Sequence, residues 1–317
     1  MYLLRQTCEN NEKTFEYINI ENNYEFNQMK YYNTFVNKYR IFKVLFENVT
    51  EDFDIFKESL INDINNPKKI GILLLNYINS VKKFEEKSKK EFNKLFEGNI
   101  LGNILKKAHN NKSYNLIYNM RNYDEHIGSP ITSISTDING NVNLFSNIDE
   151  MKKELKSTGW KKLLDNQFSN DKIIEINKYI YESYKESERI YKQIYEYIIL
   201  EESFLTKFCV KLYEFFYKYK DNNEIFALYF CDEANFSKLN LSNKIDIIFI
   251  KELLFAKRLH ITDIEFKIGE VFVDNDIKYI NIAKKIDIIN KKIIDQCFVP
   301  ACLNNKDIEF ILENIEK

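Results

Sequence analysis

Apolar side chains recur every three or four positions along much of the chain. From about Tyr24 to Asn62 they run Met29, Tyr32, Val36, Tyr39, Phe42, Phe46, Val49, Phe53, Phe56 and Leu60. Such a stripe predicts an amphipathic helix, or two abutting ones, burying one face. Asn66-Pro67 interrupts it, and a proline in the first turn suits a second helix beginning there. That helix carries Leu74, Tyr77, Ile78, Val81, Phe84, Phe92 and Leu95 on one face and ends near Gly98. A short apolar helix, Ile100 to Ala108, comes next. Asn110-Asn111-Lys112-Ser113 then breaks the pattern, with Ser113 as the expected N-cap of a helix from Tyr114 to about Ile127. Gly128 and Pro130 are placed to stop that helix.

Beyond Pro130 the period shortens to two. Ile131 to Thr136 and Val142 to Phe145 flank Asn139-Gly140, which predicts a small β-hairpin within about 130–146. Helices resume at Asp149 to Lys156 and, after Gly159-Trp160, over about Ile173 to Tyr219. From roughly residue 221 the segments shorten. Ile225 to Cys231, Ile245 to Ile250, Ile261 to Ile268 and Val271-Phe272-Val273 read as strands, Asp307 to Ile315 as a closing helix, and residues 1–23 as irregular or weakly extended. The expected fold class is mainly α: a helical domain over 1–220 with a small β-hairpin insertion, and a smaller α+β region over 221–317.

Composition sharpens this picture. Seven glycines and three prolines stand where average usage would give about 22 and 16, and so few backbone breakers favour long helices. Hydrophobic residues at 44% and charged residues at 30% exclude a disordered chain. The 46 basic and 48 acidic residues leave a net charge of -2, which argues against tracking long nucleic acid by charge and confines any such contact to a local patch. No stretch approaches 18 continuous apolar residues and no basic-then-apolar leader opens the sequence, so the expectation is a cytoplasmic protein with no membrane partner. Cys8, Cys209, Cys231, Cys297 and Cys302 are odd in number and dispersed, as reduced thiols would be. Cys297 and Cys302, five apart and without a nearby histidine, make a poor zinc half-site, and no metal or cofactor is expected.

Chemistry has few places to reside. The histidines are His109, His126 and His260, and no two have the close helical spacing of a metal site. His109 falls in a polar turn and reads as a solvated loop residue; His260, between Leu259 and Ile261, reads as a strand-edge or core histidine. No nucleophile elbow, phosphate-binding glycine loop or dinucleotide fingerprint appears. What remains is Arg121-Asn122-Tyr123-Asp124-Glu125-His126 on the helix from Tyr114. At about 100° per residue, Asn122 and His126 lie roughly 40° apart, with Arg121 roughly 140° from His126 and needing its long side chain to bend toward them. The three groups suit RNA cleavage by its own 2′-hydroxyl. Histidine titrates near neutral pH and can move the proton. Arginine can grip phosphate oxygens through parallel hydrogen bonds and offset developing charge. An asparagine amide can orient the phosphate, and Tyr123 is a candidate for stacking on a base. Each also has an ordinary structural role open to it. Arg121 and Glu125 have ion-pair spacing, His126 suits a helix C-terminus, Asn122 suits simple solvation, and Tyr123 suits packing.

This arrangement resembles the HEPN superfamily (higher eukaryote and prokaryote nucleotide-binding), whose motif is an arginine, a following polar residue and a histidine after four to six intervening residues. Arg121, Asn122 and His126 match it with four; the match is specific only over Tyr114–Gly128. The resemblance implies a helical bundle and a homodimer that brings two motifs into one cleft. It also implies a metal-independent endoribonuclease leaving 2′,3′-cyclic phosphate and 5′-hydroxyl ends. Arg121, Asn122 and His126 would be its catalytic residues, RNA its substrate, and a toxin–antitoxin or antiviral-defence partner its company. The superfamily also contains non-catalytic members, so the rival expectation is a helical interaction or sensor module. A third reading makes Tyr123 or a near neighbour the acceptor of a nucleotidyl group.

Overall fold

The structure is a computed structural model. It describes residues 1–9, 12–92, 100–126, 129–155, 159–197, 204–219, 225–231, 243–256, 271–274, 277–287, 292–303 and 306. In chain order the elements are β1 (Tyr2–Glu9), β2 (Glu12–Asn19), α1 (Asn23–Asn62), α2 (Pro67–Phe92), α3 (Ile100–Ala108), α4 (Lys112–His126), β3 (Ser133–Thr136) and β4 (Val142–Asn147). There follow α5 (Ile148–Glu154), α6 (Gly159–Gln167), β5 (Ile173–Glu175), α7 (Asn177–Tyr195), α8 (Phe204–Lys218), β6 (Ile225–Cys231) and β7 (Lys244–Ile245). The last are α9 (Ile247–Ala256), β8 (Val271–Asp274), β9 (Ile277–Asp287) and β10 (Lys292–Pro300). The protein is mainly α with small antiparallel sheets, as the periodicity predicts. Among the described residues no helix is long and apolar enough to cross a membrane.

Contacts divide the chain into two compact units, Met1–Arg40 with Tyr195–Lys317, and Ile41–Ile194. A border near 220 does not coincide with that division, because β1 and the first half of α1 group with the C-terminal segment.

In the unit Ile41–Ile194, α1 from Ile41 onward packs with α2 and α7 through aromatic rings. Phe46 stacks on Tyr191 at 4.3 Å and Phe53 on Tyr184 at 4.1 Å. Phe42 meets Phe84 at 5.3 Å. The fully buried Tyr77 donates its hydroxyl to the Ile180 carbonyl at 3.4 Å. Helix α4 runs antiparallel to α2, since Asn79 meets Arg121 while Glu85 meets Tyr114. The predicted hairpin is present as β3 and β4, extended by β5 into a three-stranded sheet. In β4, Val142, Leu144 and Ser146 are buried at period two. The Asp137 carboxylate closes the turn by accepting from the Asn139 and Asn141 amides, and Gly140 takes φ +82°.

In the other unit a four-stranded antiparallel sheet has the order β2-β1-β6-β7. Tyr2 pairs with Asn19 on one side and Cys231 on the other, so residues expected to be irregular or weakly extended form a strand with neighbours on both edges. Phe26, Phe215 and Phe230 cluster over this sheet, and Tyr32 stacks on Phe208 at 4.2 Å. A second sheet has the order β10-β9-β8.

Three further segments differ from expectation. The stretch 173–219, expected as helices, holds α7 and α8 but opens with the strand β5. Gly159-Trp160 opens α6, which buries Trp160 and Leu164. Ile245 to Ile250, expected as a strand, is helical from Ile247 because the Asp246 carboxylate accepts from the Phe249 amide at 3.1 Å and caps α9. Ile261 to Ile268, His260 and Asp307 to Ile315 lie outside the described residues.

Candidate functional site

Helix α4 starts one residue pair earlier than its sequence suggests. Asn111 Oδ1 accepts from the amides of Ser113 and Tyr114 at 2.9 and 3.0 Å, so Asn111 is the cap and Ser113 lies in the first turn. The Ser113 hydroxyl instead donates to Glu182 on α7. The helix then continues without a break to His126.

Its C-terminal half carries the predicted trio. Arg121 Nε donates to Asn79 Oδ1 on α2 at 3.0 Å. Asn122 Oδ1 accepts from Lys82 Nζ, one turn further along α2. Both side chains are half-buried and turned toward the same helix, although successive helical residues diverge by about 100°. His126 is the last residue of α4, and helical geometry puts its position roughly 40° from Asn122 on the same stripe. The side chains of Glu125 and His126 lie outside the described set.

Tyr123 does not serve the role suggested for it. It is 4% exposed, its ring meets Trp160 edge-to-face at 5.8 Å, and its hydroxyl donates to Glu154. Stacking on a base needs an open ring face, and modification needs an accessible oxygen. Tyr123 offers neither. Burial first, then the Glu154 carboxylate, push its phenol above the ordinary range.

Toward its N-terminus the α2–α4 seam holds a second polar group. Glu85 on α2 has no solvent exposure, yet it accepts from His109 Nε2 at 2.8 Å, from the Tyr114 hydroxyl at 3.0 Å and from Lys89. Burial would raise its carboxyl, but the hydrogen bond and charge of His109, with those of Lys89, outweigh it and hold the group below its usual value. His109 is therefore not a solvated loop residue. Its side chain is 28% exposed and its ring lies edge-on to Tyr118 at 5.0 Å. Tyr118, half-buried between the two groups, is raised by burial and by Glu85 and Glu86, with Arg121 pulling the other way. The seam thus runs from His109 and Glu85, past Tyr118, to Lys82, Asn122, Asn79 and Arg121. From Asn79 to Glu85 along α2 that is about six residues of helix, roughly 9 Å.

No family model, curated protein or solved structure matches this chain. The function must therefore be argued from these side chains. Among the described residues no three His, Cys, Asp or Glu gather as a metal ion's ligand set.

Sequence reasoning did not identify Asn79, Lys82, Glu85 or the role of His109. One signal was available. Asn79, Lys82, Glu85, Glu86 and Lys89 recur at helical spacing beside the apolar stripe of Ile78, Val81 and Phe84. A polar row flanking a buried one looks like a solvated helix edge until the helix that covers it is known.

Proposed function

We propose that this protein is a metal-independent endoribonuclease of HEPN type. The observation that carries the reading is the common direction of Arg121 and Asn122, both held against α2 by Asn79 and Lys82, on a helix that ends at His126. That brings a guanidinium, an amide and an ammonium into one seam beside the stripe of the only residue in the motif able to move a proton near neutral pH.

In the proposed reaction His126 takes the proton of an RNA 2′-hydroxyl. The 2′-oxygen forms a bond to the neighbouring phosphorus, and the bond from phosphorus to the 5′-oxygen breaks. The leaving oxygen is protonated by His126 of a second copy across a homodimer cleft. Arg121 offsets charge on the crowded phosphate and Asn122 orients it. The products carry 2′,3′-cyclic phosphate and 5′-hydroxyl ends.

Overexpression in cells, with RNA integrity scored beside growth, tests the reading. His126→Ala and Arg121→Ala are expected to abolish cleavage while leaving the melting temperature within a few degrees of wild type, and EDTA to leave cleavage intact. Cleavage by purified protein should fall steeply on dilution below the dimer dissociation constant. Undiminished cleavage by a folded His126→Ala protein would eliminate the proposal.

One observation favours a second reading, a helical interaction module. Ile41, Val44 and Ile55 are 40%, 46% and 43% exposed, and they fall within roughly 60° of one another around α1. Exposed Asn48 and Glu51 fall between Val44 and Ile55 on this face, so its apolar part is Ile41 with Val44, a small surface for another protein. This reading expects stable complexes and no loss of RNA integrity at any expression level.

A further inference from the structure

Lys82 is buried to within 8% of full enclosure, in a seam where an ammonium is expensive to desolvate. A lysine has three donors and no acceptor. One donor goes to Asn122 Oδ1. The Glu86 carboxylate lies 3.6 Å away, too far for a good hydrogen bond, and is itself half exposed. A donor-only neighbour decides which way the Asn122 amide faces: oxygen to Nζ, NH2 away from it.

The same polarity continues down α4. Asn122 Nδ2 points to Asn119 Oδ1 at 3.5 Å. Asn119 Nδ2 donates to Asn115 Oδ1 at 2.6 Å, and Asn115 Nδ2 donates to the His109 carbonyl at 3.1 Å. Three amides on one stripe are therefore aligned head to tail. The contact from Asn122 is the longest, so its NH2 is the least committed donor in the row.

We infer that Lys82 is a positioning residue of the nuclease site proposed above, holding the Asn122 amide so that its NH2 is presented to a phosphodiester oxygen of RNA. The inference rests on that reading. Without the ammonium, the amide can rotate by half a turn and present its oxygen, which repels phosphate.

The test is single-turnover cleavage of total cellular RNA by the full chain. Wild type is run beside Lys82→Met, Lys82→Arg, Asn122→Ala and the Lys82→Met/Asn122→Ala double variant. Lys82→Met is expected to lower the maximal rate roughly ten- to a hundredfold, the size a hydrogen bond to a charged group supports. The salt dependence of RNA binding should stay as in wild type, because the ammonium does not itself neutralise a phosphate. Lys82→Arg keeps a donor against Oδ1 and retains most of the rate. The double variant should be no slower than Asn122→Ala alone, since residues acting as one unit are not additive.

Additive losses, a shallower salt slope in Lys82→Met, or wild-type rates in a folded Lys82→Met protein overturn the inference. Should Lys82→Met fail to fold, Asn122→Asp decides. It keeps an acceptor for Lys82 while removing the NH2, so it is expected to fold and to cleave as poorly as Asn122→Ala; fast cleavage overturns the assignment. A folded wild type that cleaves no RNA instead removes the nuclease reading, and with it this refinement. That outcome is distinct because it appears before any variant is compared.

Discussion

Burying a carboxylate between two helices is unfavourable unless donors surround it, and Glu85 has His109, Lys89 and Tyr114 around it. Its folded-state pKa is depressed. Its contribution to stability is therefore present above the unfolded carboxyl value, about 4.3 for glutamate, and is lost as pH falls through the lower folded value. The melting temperature of wild type should decline below about pH 4.3 more steeply than that of Glu85→Gln. At neutral pH the variant should lose about 2 kcal/mol, less than a fully enclosed pair would, because His109 and Lys89 can turn to water. Parallel melting profiles of the two proteins across that range would show that Glu85 is not the titrating group. At this scale the sequence was informative about residue types capable of chemistry, and Arg121, Asn122 and His126 were singled out by type and spacing alone. It was silent about their neighbours. Lys82 lies forty positions from Asn122 and Glu85 twenty-four from His109, and no local pattern encodes a meeting across that distance. Tyr123 takes the packing role of the two open to it, and its cover was hidden for a related reason: Trp160 arrives from α6, an element the periodicity did not reveal.

Helices with long apolar stripes were legible at the element scale, and α1, α2, α3 and α4 fall close to where their stripes put them. The hairpin was legible too, because glycine beside asparagine marks a left-handed backbone position and Gly140 occupies it at φ +82°. A Cβ at Gly140 would meet nothing within 4 Å. Gly140→Ala should therefore cost only the backbone strain, about 1 kcal/mol, measurable by denaturant titration. At the start of α4, Asn111→Ala removes the acceptor for two helix amides and should cost about 1 kcal/mol. Ser113→Ala should leave the helix end capped while releasing Glu182. Chemical-shift or circular-dichroism comparison of the two variants separates these effects. Short apolar runs were not legible. Ile247-Ile248-Phe249-Ile250 fits a buried strand and a buried helix equally, and the choice falls to the Asp246 cap.

For the whole molecule, the fold class followed from scarce glycine and proline with sustained helical periodicity, whereas the division into units did not. Strand pairing over long sequence separations leaves no local trace, and β1 pairs with β6 across more than two hundred positions. Leu3 and Leu4 are both fully buried, so β1 is covered on both faces as well as paired on both edges. This has a consequence for biosynthesis. A ribosome delivers β1 first and its partner β6 only after every residue of Ile41–Ile194 has been made. The nascent chain must carry an apolar strand with one vacant edge throughout that interval, while the later-made helices already have their partners. Pulsed hydrogen exchange during refolding should accordingly find the amides of α2, α4 and α7 protected before those β1 amides that face β6, whereas the β1 amides that face β2 need only a local hairpin, since closing the longest loop is the slowest contact to make. A helper that shields exposed strands would act on this first segment, and its demand would end when Phe230 reaches Leu3.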